Sequence, residues 1–148
     1  VMIGSGIGGL EVIQRSCKSY FDKGIRKISP FFIPASLINL AAGHISIIHD
    51  FRGPNHAPVT ACASGTHAIS DTARIIKDGA ADIMICGGGE EHHYLSAGVF
   101  DVMAAASTKH ADEPHLSSKP FDESRDGLVV SEGSGAVVLV ELEHALAR

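Results

Sequence analysis

The sequence predicts an α/β domain, a mixed or parallel sheet covered by helices, and three observations lead there. Asp82-Ile83-Met84-Ile85-Cys86 and Gly135-Ala136-Val137-Val138-Leu139-Val140-Glu141 are short apolar runs with the composition of buried strands. Around them lie longer stretches of helical periodicity that close on glycine, 10–23 before Gly24 and 64–78 before Gly79. With 148 residues, 45% of them hydrophobic and 20% charged, the chain can bury a real core.

Taken in order, Val1-Met2-Ile3 reads as the end of a strand running into Gly4-Ser5-Gly6-Ile7-Gly8-Gly9. A helix over 10–23 follows, then a second from Pro34 or Ala35 to residue 49, where Pro34 suits a first-turn position because its missing N–H would be unpaired there anyway. Arg52-Gly53-Pro54-Asn55 is a turn, 56–61 a short strand into Cys62, and 64–78 a helix. The strand 82–86 should run into Gly87-Gly88-Gly89, residues 95–106 should be helical and 107–127 mostly a polar loop. A final strand over 135–141 leads into a helix without a C-cap. Both ends look cut, so residues 1–148 are expected to be part of a longer domain.

No stretch of about 18 apolar residues is present and no basic segment precedes an apolar one, so a soluble chain without a membrane span or signal peptide is expected. A net charge of -5 argues against general nucleic-acid binding, though a local basic spot can still dock an acidic partner. Cys17, Cys62 and Cys86 are odd in number and widely spaced, which fits neither a disulfide framework nor a CxxC metal site.

Cys62 stands out, within Val59-Thr60-Ala61-Cys62-Ala63-Ser64-Gly65-Thr66. A cysteine at a strand-to-helix turn faces the positive end of the helix, which favours an anionic sulfur, and the small residues after it leave room for an acyl group. Ser64 and Thr66 could cap the first helical turn. The same pattern also suits a small buried hydrophobe. His67 is no obvious base, because five residues along a helix place it about 140° around the axis from Cys62; it is expected to pack or cap. Gly4, Gly6 and Gly9 spell GxGxxG, but neither a second strand nor an acid at its end follows at the spacing a dinucleotide needs. Glu90-Glu91-His92-His93 lacks the i, i+4 spacing of a helical metal site.

A set of motifs in order carries a family resemblance: Gly4-Ser5-Gly6-Ile7-Gly8-Gly9, Arg26-Lys27-Ile28-Ser29-Pro30-Phe31-Phe32, Arg52-Gly53-Pro54, Thr60-Ala61-Cys62, Gly87-Gly88, Ser107-Thr108, Pro120-Phe121-Asp122 and Arg125-Asp126-Gly127. Together they resemble the N-terminal half of the β-ketoacyl-acyl carrier protein synthases, with features of both group II and group I. The resemblance implies a thiolase-like layered αβαβα fold, of which this chain would be most of the N-terminal half. It implies Cys62 as the acyl-carrying nucleophile, with its backbone N–H in the oxyanion hole. Ile7, Phe100 and Phe32 would line or gate the acyl pocket, and Arg26 and Lys27 would dock an acidic acyl carrier protein. No cofactor or metal is implied, since substrates arrive on the carrier protein's phosphopantetheine. A homodimer is implied, with about 55–61 pairing across the two-fold axis, in the cytoplasm or an organelle of bacterial origin. One arginine expected near the pocket mouth is Ala104 here. The family's two catalytic histidines lie in its C-terminal half, so these 148 residues alone should not condense. A thiolase-type transferase and a non-catalytic partner subunit are the competing readings; the segment after Thr108 speaks against the first and Cys62 against the second.

Overall fold

Three apolar runs become one mixed sheet. In the computed structural model, which describes residues 1–148, β1 (Met2–Gly4), β2 (Ile83–Glu90) and β3 (Gly133–Val140) lie in the order β1-β2-β3. β1 is parallel to β2, with Met2 opposite Cys86 and Gly4 opposite Gly88. β3 is antiparallel to β2, with Ile83 opposite Val140 and Glu90 opposite Gly133. The parallel pair needs a long crossover. It is supplied by α1 (Leu10–Lys23), α2 (Phe32–Ser36), α3 (Asn39–His49) and α4 (Ser64–Lys77).

The chain divides into two units, 1–90 with 133–148, and 91–132. The first holds the sheet, α1 to α4 and a short terminal helix over Leu142–Leu146; the second holds α5 (Tyr94–Val102). In the first unit α4 buries Ser64, Ala68 and Thr72, four residues apart, as one stripe. Ala68 meets Met2, Met84 and Cys86 in the core, flanked by Ile75, Ile76, Ala81 and Leu139. The stripe is made of small side chains, so the start of α4 comes down to the strand backbones: a Cβ on Gly4 would stand 2.5 Å from the Ser64 carbonyl oxygen, and one on Gly88 would stand 2.8 Å from the Gly65 Cα.

Several boundaries differ from expectation, each for a local reason. The helix expected from Pro34 or Ala35 to residue 49 is two helices, because Leu37 is extended (φ -80°, ψ 131°). That break frees the Ser36 carbonyl, which accepts the Gly9 N–H at 3.4 Å. The strand expected over 56–61 is reduced to isolated bridges, His56 with Met2 and Thr60 with Cys62. Pro58 has no N–H to give a ladder, and no strand of the chain lies beside 57–59. β2 does not stop at Gly87 but runs to Glu90, since the glycines are what let β3 and α4 approach so closely. α5 ends at Val102 rather than 106, with Ala104 in the left-handed region at φ 55°. No helix is long and apolar enough to cross a membrane.

Within the second unit, His93 is buried and its Nδ1 accepts the Leu95 N–H at 3.2 Å, capping α5. Asp126 gathers the loop after it: its carboxylate accepts the Lys109 N–H at 2.8 Å, the Ser107 hydroxyl at 2.7 Å and the Thr108 N–H at 2.9 Å. These bonds, the Lys109 N–H foremost, hold the Asp126 carboxyl well below the usual carboxylate range. A pKa lowered in the folded state stabilises above the unfolded value of about 3.9 and is lost as pH falls below it. In the full-length protein, Asp126→Ala should therefore lower Tm at pH 7, and the gap to the parent should narrow as thermal melts are taken at successively lower pH below about 4.

Candidate active site

The turn before α4 is built to expose one side chain. Ala63 and Ser64 donate their N–H groups to the carbonyls of Thr60 and Ala61, both at 3.1 Å, which closes the chain tightly around Cys62. Ala61 pays for the closure with a left-handed φ of 52°, a conformation that costs a residue with a Cβ about 1–2 kcal/mol. Ser64 was expected to cap the helix, yet α4 has no side-chain cap. Its buried hydroxyl instead accepts the Thr60 N–H at 2.9 Å and donates to the Ala61 carbonyl at 2.7 Å, fastening the strained residue from inside.

Cys62 is exposed at this elbow, whereas the cysteine buried in the core is Cys86. The Cys62 N–H donates to no acceptor in the chain, so it is free to meet an oxygen brought to the sulfur. His67 neither packs in the core nor caps. Its Nδ1 lies 3.3 Å from the Thr60 hydroxyl and its Nε2 3.0 Å from the Asp71 carboxylate, so both ring nitrogens are engaged, one with the turn and one along α4. A groove of about 490 Å³ bounded by His56, Pro58, Val59, Thr60 and Arg74 lies in the same unit, and Cys62 is not among its lining residues.

The glycine loop lies against the elbow. A Cβ on Gly6 would stand 3.4 Å from the Ala61 Cα, which places the loop against the turn that carries Cys62. Ile7, at the loop's apex, is 48% exposed. The anion-binding character of a GxGxxG loop is used, but within the chain: Glu90 accepts the Gly6 N–H at 2.6 Å, the Ser5 hydroxyl at 2.9 Å and the Gly8 N–H at 3.4 Å. Its carboxylate stands where a dinucleotide fold would hold a phosphate.

The remaining candidates fall in different places. Phe32 is half-buried in α2, whose Ser36 carbonyl holds the end of the glycine loop. Arg26 and Lys27 are exposed on a 3-10 turn, Ile25–Lys27, beyond the far end of α1. The turn folds back along the helix, where the Ser19 hydroxyl donates to the Lys27 carbonyl at 3.0 Å. Phe100 is half-buried in α5, in the second unit.

The family described as Beta-ketoacyl synthase, N-terminal domain, matches residues 1–145. The chain belongs to the β-ketoacyl synthases. A relative named 3-oxoacyl-(acyl-carrier-protein) synthase 2, from Rhizobium meliloti (strain 1021), is 56% identical over 149 residues, covering 100% of this chain and 35% of the relative. A mitochondrial 3-oxoacyl-(acyl-carrier-protein) synthase of Arabidopsis thaliana is 48% identical, with 100% and 32% covered. A crystal structure of a beta-ketoacyl synthase from Burkholderia phymatum STM815 superposes with a TM-score of 0.86 at 37% identity, covering 99% of this chain and 36% of that one. The chain thus spans about a third of the length of these ketosynthases and has their thiolase-like α/β fold over that length.

Two features of the candidate site were not foreseen from the sequence. The strain at Ala61 left no mark, because alanine is not a residue that signals a left-handed conformation. Glu90 did leave one: an acid directly after three glycines, at the end of a strand, is well placed to meet a second glycine-rich loop.

Proposed function

We propose that the full-length protein elongates acyl chains by decarboxylative Claisen condensation on Cys62. The observation that carries this reading is the exposed Cys62 at a strained elbow, with its own N–H unengaged, in a chain of the ketosynthase family. The Cys62 sulfur attacks the thioester carbonyl of an acyl group on the carrier protein's phosphopantetheine, and the carrier thiol leaves. The Cys62 N–H stabilises the negative charge that develops on the carbonyl oxygen. Malonyl-carrier protein then loses carbon dioxide, the resulting carbanion attacks the acyl carbon, and collapse of the adduct expels the Cys62 thiolate. No cofactor takes part beyond the carrier's own arm.

Residues 1–148 serve as the N-terminal part of the ketosynthase domain, and the histidines that support decarboxylation come from the rest of the protein. Ile7 and Phe32 line the acyl pocket. Arg26 and Lys27 receive the acidic carrier protein, two exposed cations being enough to steer it despite the net charge of -5. The protein acts as a homodimer in the cytoplasm or an organelle of bacterial origin. Support for the dimer comes from residues 57–59, which line a groove and have no strand partner within the chain.

The test is carbon dioxide release from labelled malonyl-carrier protein by the full-length enzyme, with and without acyl-carrier protein. Release that depends on acylation, with a 3-oxoacyl product two carbons longer, is expected. Reversible acyl transfer without carbon dioxide would favour a thiolase-type reaction, and no acylation at all a non-catalytic subunit.

A further inference from the structure

We infer that Glu90 is a positioning residue for acyl-chain selection, holding Ile7 in place from outside the pocket; this rests on the reading of Ile7 as a pocket residue. Glu90 ends β2, beside the carboxyl end of β1, so its side chain reaches the loop that leaves β1. The two N–H groups it accepts belong to Gly6 and Gly8, the residues on either side of Ile7, and its third bond is to Ser5. One carboxylate therefore fixes both flanks of the Ile7 backbone.

The rest of the loop has little freedom of its own. Gly6 rests on Ala61 of the elbow, a Cβ on Gly8 would stand 2.9 Å from Ile38, and Gly9 is bonded to Ser36. With its backbone pinned between the elbow and α2, Ile7 can yield to a long acyl chain only by changing rotamer or by breaking bonds to Glu90. Charge-assisted hydrogen bonds are the stronger kind, so the carboxylate sets how far the loop gives. Glu90→Gln replaces one acceptor oxygen with an NH2 that confronts a backbone N–H, and the loop is released on at least one flank of Ile7.

The experiment uses the full-length enzyme and carrier-protein thioesters of short, medium and long saturated acyl chains, with the acylation rate of Cys62 measured for each. Glu90→Gln should change the ratio of long-chain to short-chain rates by about tenfold, while alkylation of Cys62 by iodoacetamide, which needs no acyl pocket, should stay within about twofold. Ser5→Ala, which removes one bond of the three, should shift the ratio in the same direction by less. In an Ile7→Ala background, Glu90→Gln should have no further effect on the ratio, because residues acting as a unit are non-additive. An equal loss at every chain length, or a ratio that shifts undiminished in the Ile7→Ala background, overturns the role of Glu90 and leaves Ile7 as a pocket residue. A chain-length ratio untouched by Ile7→Ala alone overturns the pocket reading itself, and the inference with it. Should Glu90→Gln fail to fold, the Ser5→Ala ratio decides in the same way.

Discussion

Replacing Cys62 by alanine should abolish the covalent acyl-enzyme and lower condensation by the full-length protein by about a thousandfold or more, since covalent catalysis has no second nucleophile to fall back on. Folding should be unaffected: the side chain is exposed, makes no contact in the core, and leaves in place the Ser64 bonds that close the elbow. Thermal melts should therefore superpose on those of the parent. Cys86→Ala should behave in the opposite way. It removes a fully buried core atom group beside Met2, Ala68 and Met84, and its effect should appear in stability before activity.

Gly4→Ala should be among the most destabilising single substitutions in the chain, by about 3 kcal/mol. The new methyl would stand 2.5 Å from the Ser64 carbonyl oxygen, and backbone cannot rotate away as a side chain can. Relief requires α4 to lift from β1, which moves Ser64 and with it the turn that presents Cys62. Acylation should fall together with Tm. Gly24 is the control. Alanine there meets nothing within 4 Å and carries only backbone strain, φ 83° with ψ 169° being a region essentially confined to glycine and costing about 1–3 kcal/mol, so stability should fall without loss of acylation. Equilibrium unfolding of both variants, read beside their acylation rates, separates the two cases.

Local chemistry made much of this structure legible. The period of α1 and α4 and the glycines that follow them placed both helices, and the apolar runs placed the strands. What could not be read depended on partners distant in sequence. Gly87, Gly88 and Gly89 look like a turn until β3 and Gly65 are brought against them, when the missing side chains become the reason the strand continues. Residues 56–61 have strand-like composition, but a strand needs a neighbour, and this chain offers Met2 to His56 but no strand beside 57–59. The break at Leu37 leaves the Ser36 carbonyl to a partner far back in the chain, Gly9, and Glu90 acquires its bonds from a loop more than eighty residues away. Of the site, Cys62 could be picked out as a candidate nucleophile from its own sequence neighbourhood, and the family motifs around it sharpened the choice; the means of holding its turn, through Ala61, Ser64 and Gly4, could not be read.

The most direct measurement is peptide-level mass spectrometry of the full-length protein after incubation with acyl-carrier protein alone. The acyl mass should appear on the peptide carrying Cys62, be lost on hydroxylamine treatment as a thioester is, and be absent from Cys62→Ala. An acyl group that remains in the Cys62→Ala protein, or one carried on Cys17 instead, would contradict the assignment of Cys62 as the nucleophile.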